Sequence, residues 1–584
     1  MKKLIALFTA ALLLHSCNKT TQKEAIQEAK EYPTAFELGN GNQTATYNEV
    51  IKFYKELSTD FSNIELEEIG QTDSGKPLHL ISFSKNTIDW NSANEDKIKI
   101  LINNGIHPGE SDGIDATMML MRDLATGAID APENLIFSTI AVYNVGGSLN
   151  RNSSTRTNQN GPEEYGFRGN ARNYDLNRDF IKADSRNALA FYEVYHKINP
   201  DIFIDNHVSN GADYQYTLTH LFTQHNKLGS TTGHYLHTQL QPQLEKRLAA
   251  RELPITPYVN VHNASPVKGF SQFMDYPRYS TGYTSLWNTL GMMVETHMLK
   301  PYKDRVLGTK AIMEEMIHIG SENVDTIKKA RKSSFNNFEN ATHYTLNYSL
   351  DKTQADTLDF LGYEAVIGKS DVTGNDLLTY DRSKPFNKKT VYHNYFVATD
   401  SISIPDYYVV PQSQWKVIEL MRRNNIQLEF LTKDTTLTVS KYRIANYKTA
   451  TNAYEGHYPH SGIDVKEDVV ELRFRESDII IPTRQPGIRY IIETLEPAGP
   501  DSFFKWNYFD TILQQKEGFS SYVFEATARK LLSENKALKR EFDSLKKADQ
   551  KFKENNHLQL NWIHKRSANY EPAHLNYPIY KWNK

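Results

Sequence analysis

The stretch Lys97-Ile-Lys-Ile-Leu-Ile-Asn-Asn-Gly-Ile-His107-Pro-Gly-Glu110 governs how the whole chain is read. Ile98 to Ile102 is a short apolar run rich in isoleucine and bounded by polar residues, as in a strand buried in a sheet. Asn103-Asn104-Gly105 breaks the run. His107 and Glu110 follow at once, across a stiff Pro-Gly turn, and at that spacing an imidazole and a carboxylate can reach one metal ion. In α/β sheets such groups collect where strands end. H-x-x-E alone also describes a polar loop entering a helix at Asp112, so the surrounding chain has to decide.

From Tyr47 to about Ser334, strand-like and helix-like segments alternate. The strand candidates are Leu78–Phe83, Ile98–Ile102, Ile136–Val145, Ile202–Asp205, Tyr216–Phe222 and Met292–Thr296. The helix candidates are Tyr47–Phe61, Asp112–Thr126, Ser185–Lys197, Thr231–Arg251 and Lys303–Lys332. This order predicts an α/β fold with a mixed central sheet and helices on both faces. Ser148–Asn173 is long, polar and rich in Gly, Arg and Asn, the kind of loop that carries function. After about Asn340 the pattern changes to short strand-like segments, such as Tyr407–Val410, Glu471–Phe474 and Tyr490–Leu495, with one helix at Gln412–Arg423. A β-rich C-terminal domain is expected over residues 340–584, with one long charged helix from about Glu525 to Asn555. The catalytic domain is expected over residues 41–335.

Composition narrows the function classes. The chain has 584 residues, enough for two large domains or three. A net charge of −3, with no basic stripe, gives no footprint for nucleic acid. Lys2 and Lys3 precede an apolar run, Leu4 to Leu14, that is too short to span a bilayer comfortably. The run ends in Leu14-His15-Ser16-Cys17, which resembles the lipobox of bacterial lipoproteins, and Cys17 is the only cysteine. Residues 1–17 are therefore expected to be a lipoprotein signal peptide and 18–40 a polar tether. Cys17 would carry the lipid anchor, placing the protein on the bacterial cell envelope.

Two further groups repeat the theme of polar residues at strand ends. Arg168-Gly-Asn-Ala-Arg-Asn-Tyr-Asp175-Leu-Asn177-Arg178-Asp-Phe180 precedes an apolar strand that runs into Asp205-Asn206-His207. Met292-Met-Val-Glu295-Thr-His297 ends another strand with a carboxylate. Together with His107 and Glu110, in this order, these pieces resemble the zinc metallocarboxypeptidases, the family of carboxypeptidases A, B, E and N. The resemblance covers roughly residues 45 to 335, and D-L-N-R is its most specific piece.

The resemblance implies one zinc per chain, held by His107, Glu110 and His207 with a position left open for water. It implies that Glu295 moves the water proton and that Arg168 holds the developing oxyanion. Arg178, with Asn177, would bind the free C-terminal carboxylate of a peptide substrate. Asp175 would accept the second ring N–H of His107. The family also places a tyrosine over the substrate. Here Tyr276, Tyr279 and Tyr283 compete, and Tyr279 is favoured. His297, His457 and His460 are expected to be structural. Two other functions share these features: a cell-wall stem-peptide carboxypeptidase or amidohydrolase, and an inactive surface-binding protein.

Overall fold

The computed structural model describes residues 31–90, 92 and 94–584. The leader and lipobox expected at residues 1–17, and most of the tether, lie outside them. Among the described residues no helix is long and apolar enough to cross a membrane. Thr34–Lys584 form one compact unit.

Nine strands lead to the site: β1 Ile64–Ile69, β2 Leu78–Phe83, β3 Ile98–Asn103, β4 Leu135–Ile140, β5 Ile202–Ser209, β6 Leu218–Phe222, β7 Ile255–Pro257, β8 Phe270–Ser271 and β9 Leu290–His297. All but β8 form one sheet in the order β1-β2-β4-β3-β5-β9-β6-β7. The four central strands, β4, β3, β5 and β9, are parallel, and antiparallel pairs flank them. The parallel strands are apolar on both faces because both faces are covered. Ile98, Ile100 and Ile202 point to Gly320 on the helix Tyr302–Glu322, where there is little room for a Cβ. Phe203, one residue on and hence on the other face, meets Phe191 of the helix Arg186–Ile198.

Beyond the sheet, β10 His343–Leu350 and β13 Phe396–Ser403 pair, as do the long strands β11 Asp356–Lys369 and β12 Asp376–His393. The end of β12 adds to β8. Six further strands form the last sheet, ordered β15-β18-β14-β19-β16-β17. They are β14 Tyr407–Val410, β15 Glu429–Phe430, β16 Thr435–Thr449, β17 His460–Phe474, β18 Ile479–Pro482 and β19 Asn576–Trp582.

Four expectations are corrected. The helix expected over Lys303–Lys332 is two, Tyr302–Glu322 and Val324–Asn336, and the strand expected over Ile136–Val145 ends at Ile140, with Val145 opening the short helix Val145–Leu149. Tyr490–Leu495 is not a strand but part of the helix Ile488–Leu495. All eight of its residues are buried, so neither a two-residue nor a 3.6-residue polar period is left to distinguish the two forms. The single long charged helix is instead a chain of shorter ones: Ser521–Glu534, Lys536–Ala548, Gln550–Lys553 and Asn556–His564. Each break falls on an Asn or Asp that caps the next helix. Asn535 accepts from the Leu538 N–H, Asp549 from Phe552 and Asn555 from Leu558. The side chain competes with the helical backbone and starts a new helix. The pieces close around Phe524, Phe542, Phe552 and Ile563.

One buried ion pair ties the sheet's functional end together. The Arg305 side chain is fully buried and donates from Nε to Asp112 Oδ2 at 3.1 Å and from Nη2 to Asp112 Oδ1 at 3.3 Å. Its remaining donors reach the carbonyls of Asn160, Gly161, Met298 and Lys300. Thr296 Oγ1 donates to the same Asp112 carboxylate. Arg305→Met is expected to strand a buried carboxylate and cost on the order of 3–5 kcal/mol. The check is a lower urea midpoint, whereas Lys52→Ala, which breaks only an exposed pair with Glu56, leaves the midpoint in place.

Candidate active site

Three parallel strands deliver the functional groups at their C-terminal ends. His107 and Glu110 lie in the turn after β3, His207 lies near the end of β5, and Glu295 lies on β9 directly beside His207 in the register. One ligand atom from each of His107, Glu110 and His207 comes within 4.8 Å of the others, and all three residues are buried.

These residues fit a zinc ion. Each histidine has its Nε2 engaged by a carboxylate, His107 with Asp175 Oδ1 at 2.9 Å and His207 with Asp205 Oδ2 at 2.8 Å. That fixes both rings and turns both Nδ1 atoms towards Glu110. His207 Nδ1 is 3.0 Å from Glu110 Oε2. His107 Nδ1 is 3.3 Å from Glu110 Oε1 and buried without a hydrogen bond. An orphaned buried nitrogen aimed at a carboxylate and a second imidazole is a donor set that fits a cation. Two imidazoles and one carboxylate leave a coordination position open.

Charge around the set is closely balanced. Burial alone would raise the Glu110 pKa, but His107 and Arg156 hold the carboxyl well below its ordinary range. Arg156 Nη1 reaches Glu110 Oε1 at 3.0 Å and Arg168 Nη1 stands 3.6 Å from it. Glu295 goes the other way. Burial pushes its pKa up to about 7, with Glu110 and Asp205 adding and His207 and Arg168 opposing. Asp175 is half-buried, and against the effect of that burial it is held below the ordinary carboxylate range by His107, Arg168 and Arg178. Arg168 donates to Asp175 Oδ2 from Nε at 3.1 Å and from Nη2 at 2.8 Å, which aims its guanidinium across the site.

A cleft of about 290 Å³ opens beside this set. Arg168, Asn177, Arg178, Tyr279 and Glu295 all line it, with the three candidate ligands. Asn177 and Arg178 sit on the 3₁₀ turn Leu176–Arg178, which Asp175 caps by accepting the Asn177 N–H. Arg178 lies over the Tyr279 ring, 4.6 Å from its centroid, a cation–π contact that keeps the guanidinium in the cleft. Asn177 Oδ1 accepts the Ser280 N–H and so binds the Tyr279 segment to the same turn. Of the competing tyrosines only Tyr279 lines the cleft. Tyr283 is in the core, stacked on Tyr192, and Tyr276 lies under Lys227. Leu221 and Met293 are register partners on β6 and β9, two residues along from Glu295 on its face, and with Phe273 they give the cleft an apolar side.

Several residues of the site escape a reading of the sequence. Arg156 has no motif around it. Gln159 holds it by accepting from Arg156 Nε, and donates in turn to the Gly109 carbonyl beside Glu110. Tyr258 and Asn260 line the cleft from a segment with no distinguishing pattern. Asp205 had a signal, because in a strand it shares a face with His207 two residues on. The other histidines are engaged elsewhere: His297 with Asp213, His457 with Asp184 and His460 with Asp510.

A family model described as zinc carboxypeptidase matches residues 50–357, a little over half of the chain. No curated protein matches. Similar solved structures include a metallo-carboxypeptidase from Burkholderia cenocepacia, 18% identical, covering 48% of this chain and 70% of that chain with a TM-score of 0.35. Another is a Pseudomonas aeruginosa metallo-carboxypeptidase in complex with (2-guanidinoethylmercapto)succinic acid, at 14% identity, 48% and 70% coverage and a TM-score of 0.37. A third is carboxypeptidase A from Helicoverpa armigera, at 13% identity, 50% and 74% coverage and a TM-score of 0.36.

Removing one ring from the donor set is expected to release the metal. Elemental analysis should find about one zinc per chain in wild type and in Glu295→Gln, and close to none in His207→Ala. Full zinc in His207→Ala would mean that the ion sits elsewhere.

Proposed function

The chain belongs to the zinc carboxypeptidase family, and from that premise we propose that it removes the C-terminal residue of peptides outside the cytoplasm. The observation that carries this reading is the position of Arg178. A guanidinium held on Tyr279, in the same cleft as the His107–Glu110–His207 set, is where a free carboxylate would be recognised.

Zinc bound to the three ligands supplies a charge that activates water and polarises a carbonyl. The protein supplies the rest. Glu295, half-buried and unusually reluctant to ionise, is suited to take a proton from the attacking water and give it to the leaving amine. Arg168, fixed by Asp175, presents a cation to the oxygen that gains charge. Arg178 holds the terminal carboxylate, and the distance from it to Glu295 sets which peptide bond is presented. The apolar side of the cleft at Leu221, Met293 and Phe273 favours an uncharged, apolar C-terminal side chain.

The location outside the cytoplasm, with a lipid anchor at Cys17, is likewise part of the proposal. It rests on Lys2-Lys3, the apolar run to Leu14 and the single cysteine after Leu14-His15-Ser16.

Three outcomes are expected with peptide substrates. On a panel of free-acid peptides and their C-terminal amides, wild type cleaves the acids, those ending in apolar residues best, and leaves the amides. Arg178→Ala raises KM strongly and erases the distinction, since the carboxylate is charged before and during reaction. Glu295→Gln keeps KM and lowers kcat by about a hundredfold or more. Equal cleavage of acid and amide by wild type would sink the carboxypeptidase reading. For the anchor, Cys17→Ser is expected to release the protein from the membrane fraction or leave it unprocessed. Detergent-requiring association in that variant, with normal processing, counts against lipidation.

A further inference from the structure

The segment between β16 and β17, residues 450–459, reaches from the last sheet to the turn that presents Asn177 and Arg178. It is tightly made. Tyr454 and His457 exchange backbone hydrogen bonds at 2.8 and 3.1 Å, with Glu455 and Gly456 between them at φ of 48° and 80°. A Cβ on Gly456 would come 2.9 Å from the Tyr174 ring, so only glycine lets the tip sit this close. Glu455 Oε2 then accepts the backbone N–H of Asp175 at 2.8 Å.

That N–H precedes the Leu176–Arg178 turn and has no partner within it. A half-buried backbone donor needs an acceptor, and this one comes from 280 residues away. Contacts on both sides hold the tip in place. His457 Nε2 meets Asp184 Oδ2 at 2.7 Å. Tyr454 stacks on Trp506, which also carries the Arg278 guanidinium at 5.1 Å, and Arg278 pairs with Asp501 at 2.7 Å. The tip and its neighbours therefore grip Tyr174, Asp175 and Asp184 on one side and Arg278, next to Tyr279, on the other. Placing a second carboxylate near Asp175 has a cost. Burial raises the Glu455 pKa; the hydrogen bond from the Asp175 N–H lowers it, the Asp175 carboxylate raises it, and Lys182 and Arg178 lower it.

We propose that Glu455 is a positioning residue for the carboxypeptidase reaction: by holding the Asp175 backbone it sets the Asn177–Arg178 turn that receives the substrate's C-terminal carboxylate. The region after residue 340 thereby completes the substrate site rather than only covering the fold. This inference rests on the role given to Arg178 above.

The test compares Glu455→Ala and Glu455→Gln in the full-length, zinc-loaded protein. Two quantities are read: kcat and KM on a free-acid peptide, and hydrogen–deuterium exchange of the segment 170–180. Losing a hydrogen bond to a charged acceptor is expected to raise KM about tenfold in Glu455→Ala, with kcat within about twofold and faster exchange at Asp175. Glu455→Gln keeps an acceptor oxygen and should bring KM most of the way back and slow the exchange again. Unchanged KM and exchange in Glu455→Ala overturn the proposal. So does a glutamine variant as defective as the alanine one, or a loss of kcat that tracks a lowered melting temperature. If wild type cleaves no free-acid peptide, the carboxypeptidase reading fails by itself. The exchange comparison then decides whether Glu455 holds the turn.

Discussion

The Asp112–Arg305 pair is the constraint on which the site depends. Asp112 stands two residues after Glu110 and opens the helix Asp112–Thr126, so its position sets the turn that carries His107 and Glu110. Arg305 spreads its donors over the carbonyls that follow β9 and over Asn160 and Gly161 in the long polar loop. Thr296, next to Glu295, joins through the same carboxylate. One fully buried guanidinium thus links three segments that share no hydrogen-bonded strand pair at that point. A buried ion pair is weak evidence for stability, because desolvation offsets most of the attraction. Its use here is geometric: every donor is committed, so the segments have one mutual arrangement.

The electrostatics of the cleft follow the same logic. Asp175 accepts from His107, from Arg168 twice and from the Asn177 backbone, and its own N–H is held by Glu455. It orients the His107 ring, the Arg168 guanidinium and the turn with Arg178 at once. The effects of changing its partners one at a time should therefore not add. Glu110 and Glu295 show how environment divides like residues: burial works against the charge of both, but only Glu110 has Arg156 and His107 close enough to overcome it.

How far the sequence could be read depends on where each residue's partners lie along the chain. The parallel core was legible because its strands are short apolar runs between polar breaks, and the site residues because each follows such a run: His107 after Ile98–Ile102, His207 after Ile202–Ile204, Glu295 after Met292–Val294. Asp175, Asn177 and Arg178 were legible as one contiguous piece. Arg156 and Glu455 were not, since their meaning lies wholly in contacts with Glu110 and Asp175, 46 and 280 positions away along the chain (156 − 110 and 455 − 175). The helix after Gly487 was misread because complete burial erases periodicity, and the long charged helix because Asn535, Asp549 and Asn555 cap as readily as they extend.

The pair β11–β12 shows how the opposite side of the cleft is made firm. A lone two-stranded ribbon is marginal in water, and the far end of this one is exposed, with Val372 94% accessible. Its base is different. Phe360 and Tyr392 pack with Val259, Val261 and Phe270, while Gln215 bonds the carbonyls of Gly362 and Phe386. Residues 258–261 alternate: Val259 and Val261 enter this cluster, and Tyr258 and Asn260 face the cleft. Packing under one face therefore fixes what the other face presents. The residues after 340 hold both sides of the cleft, by apolar packing beneath Tyr258 and Asn260 and by charge and backbone capture at Asp175. Under the proposed function the two sides would need different things: a wall for an apolar side chain tolerates small shifts, whereas a guanidinium meeting a carboxylate in two directions does not.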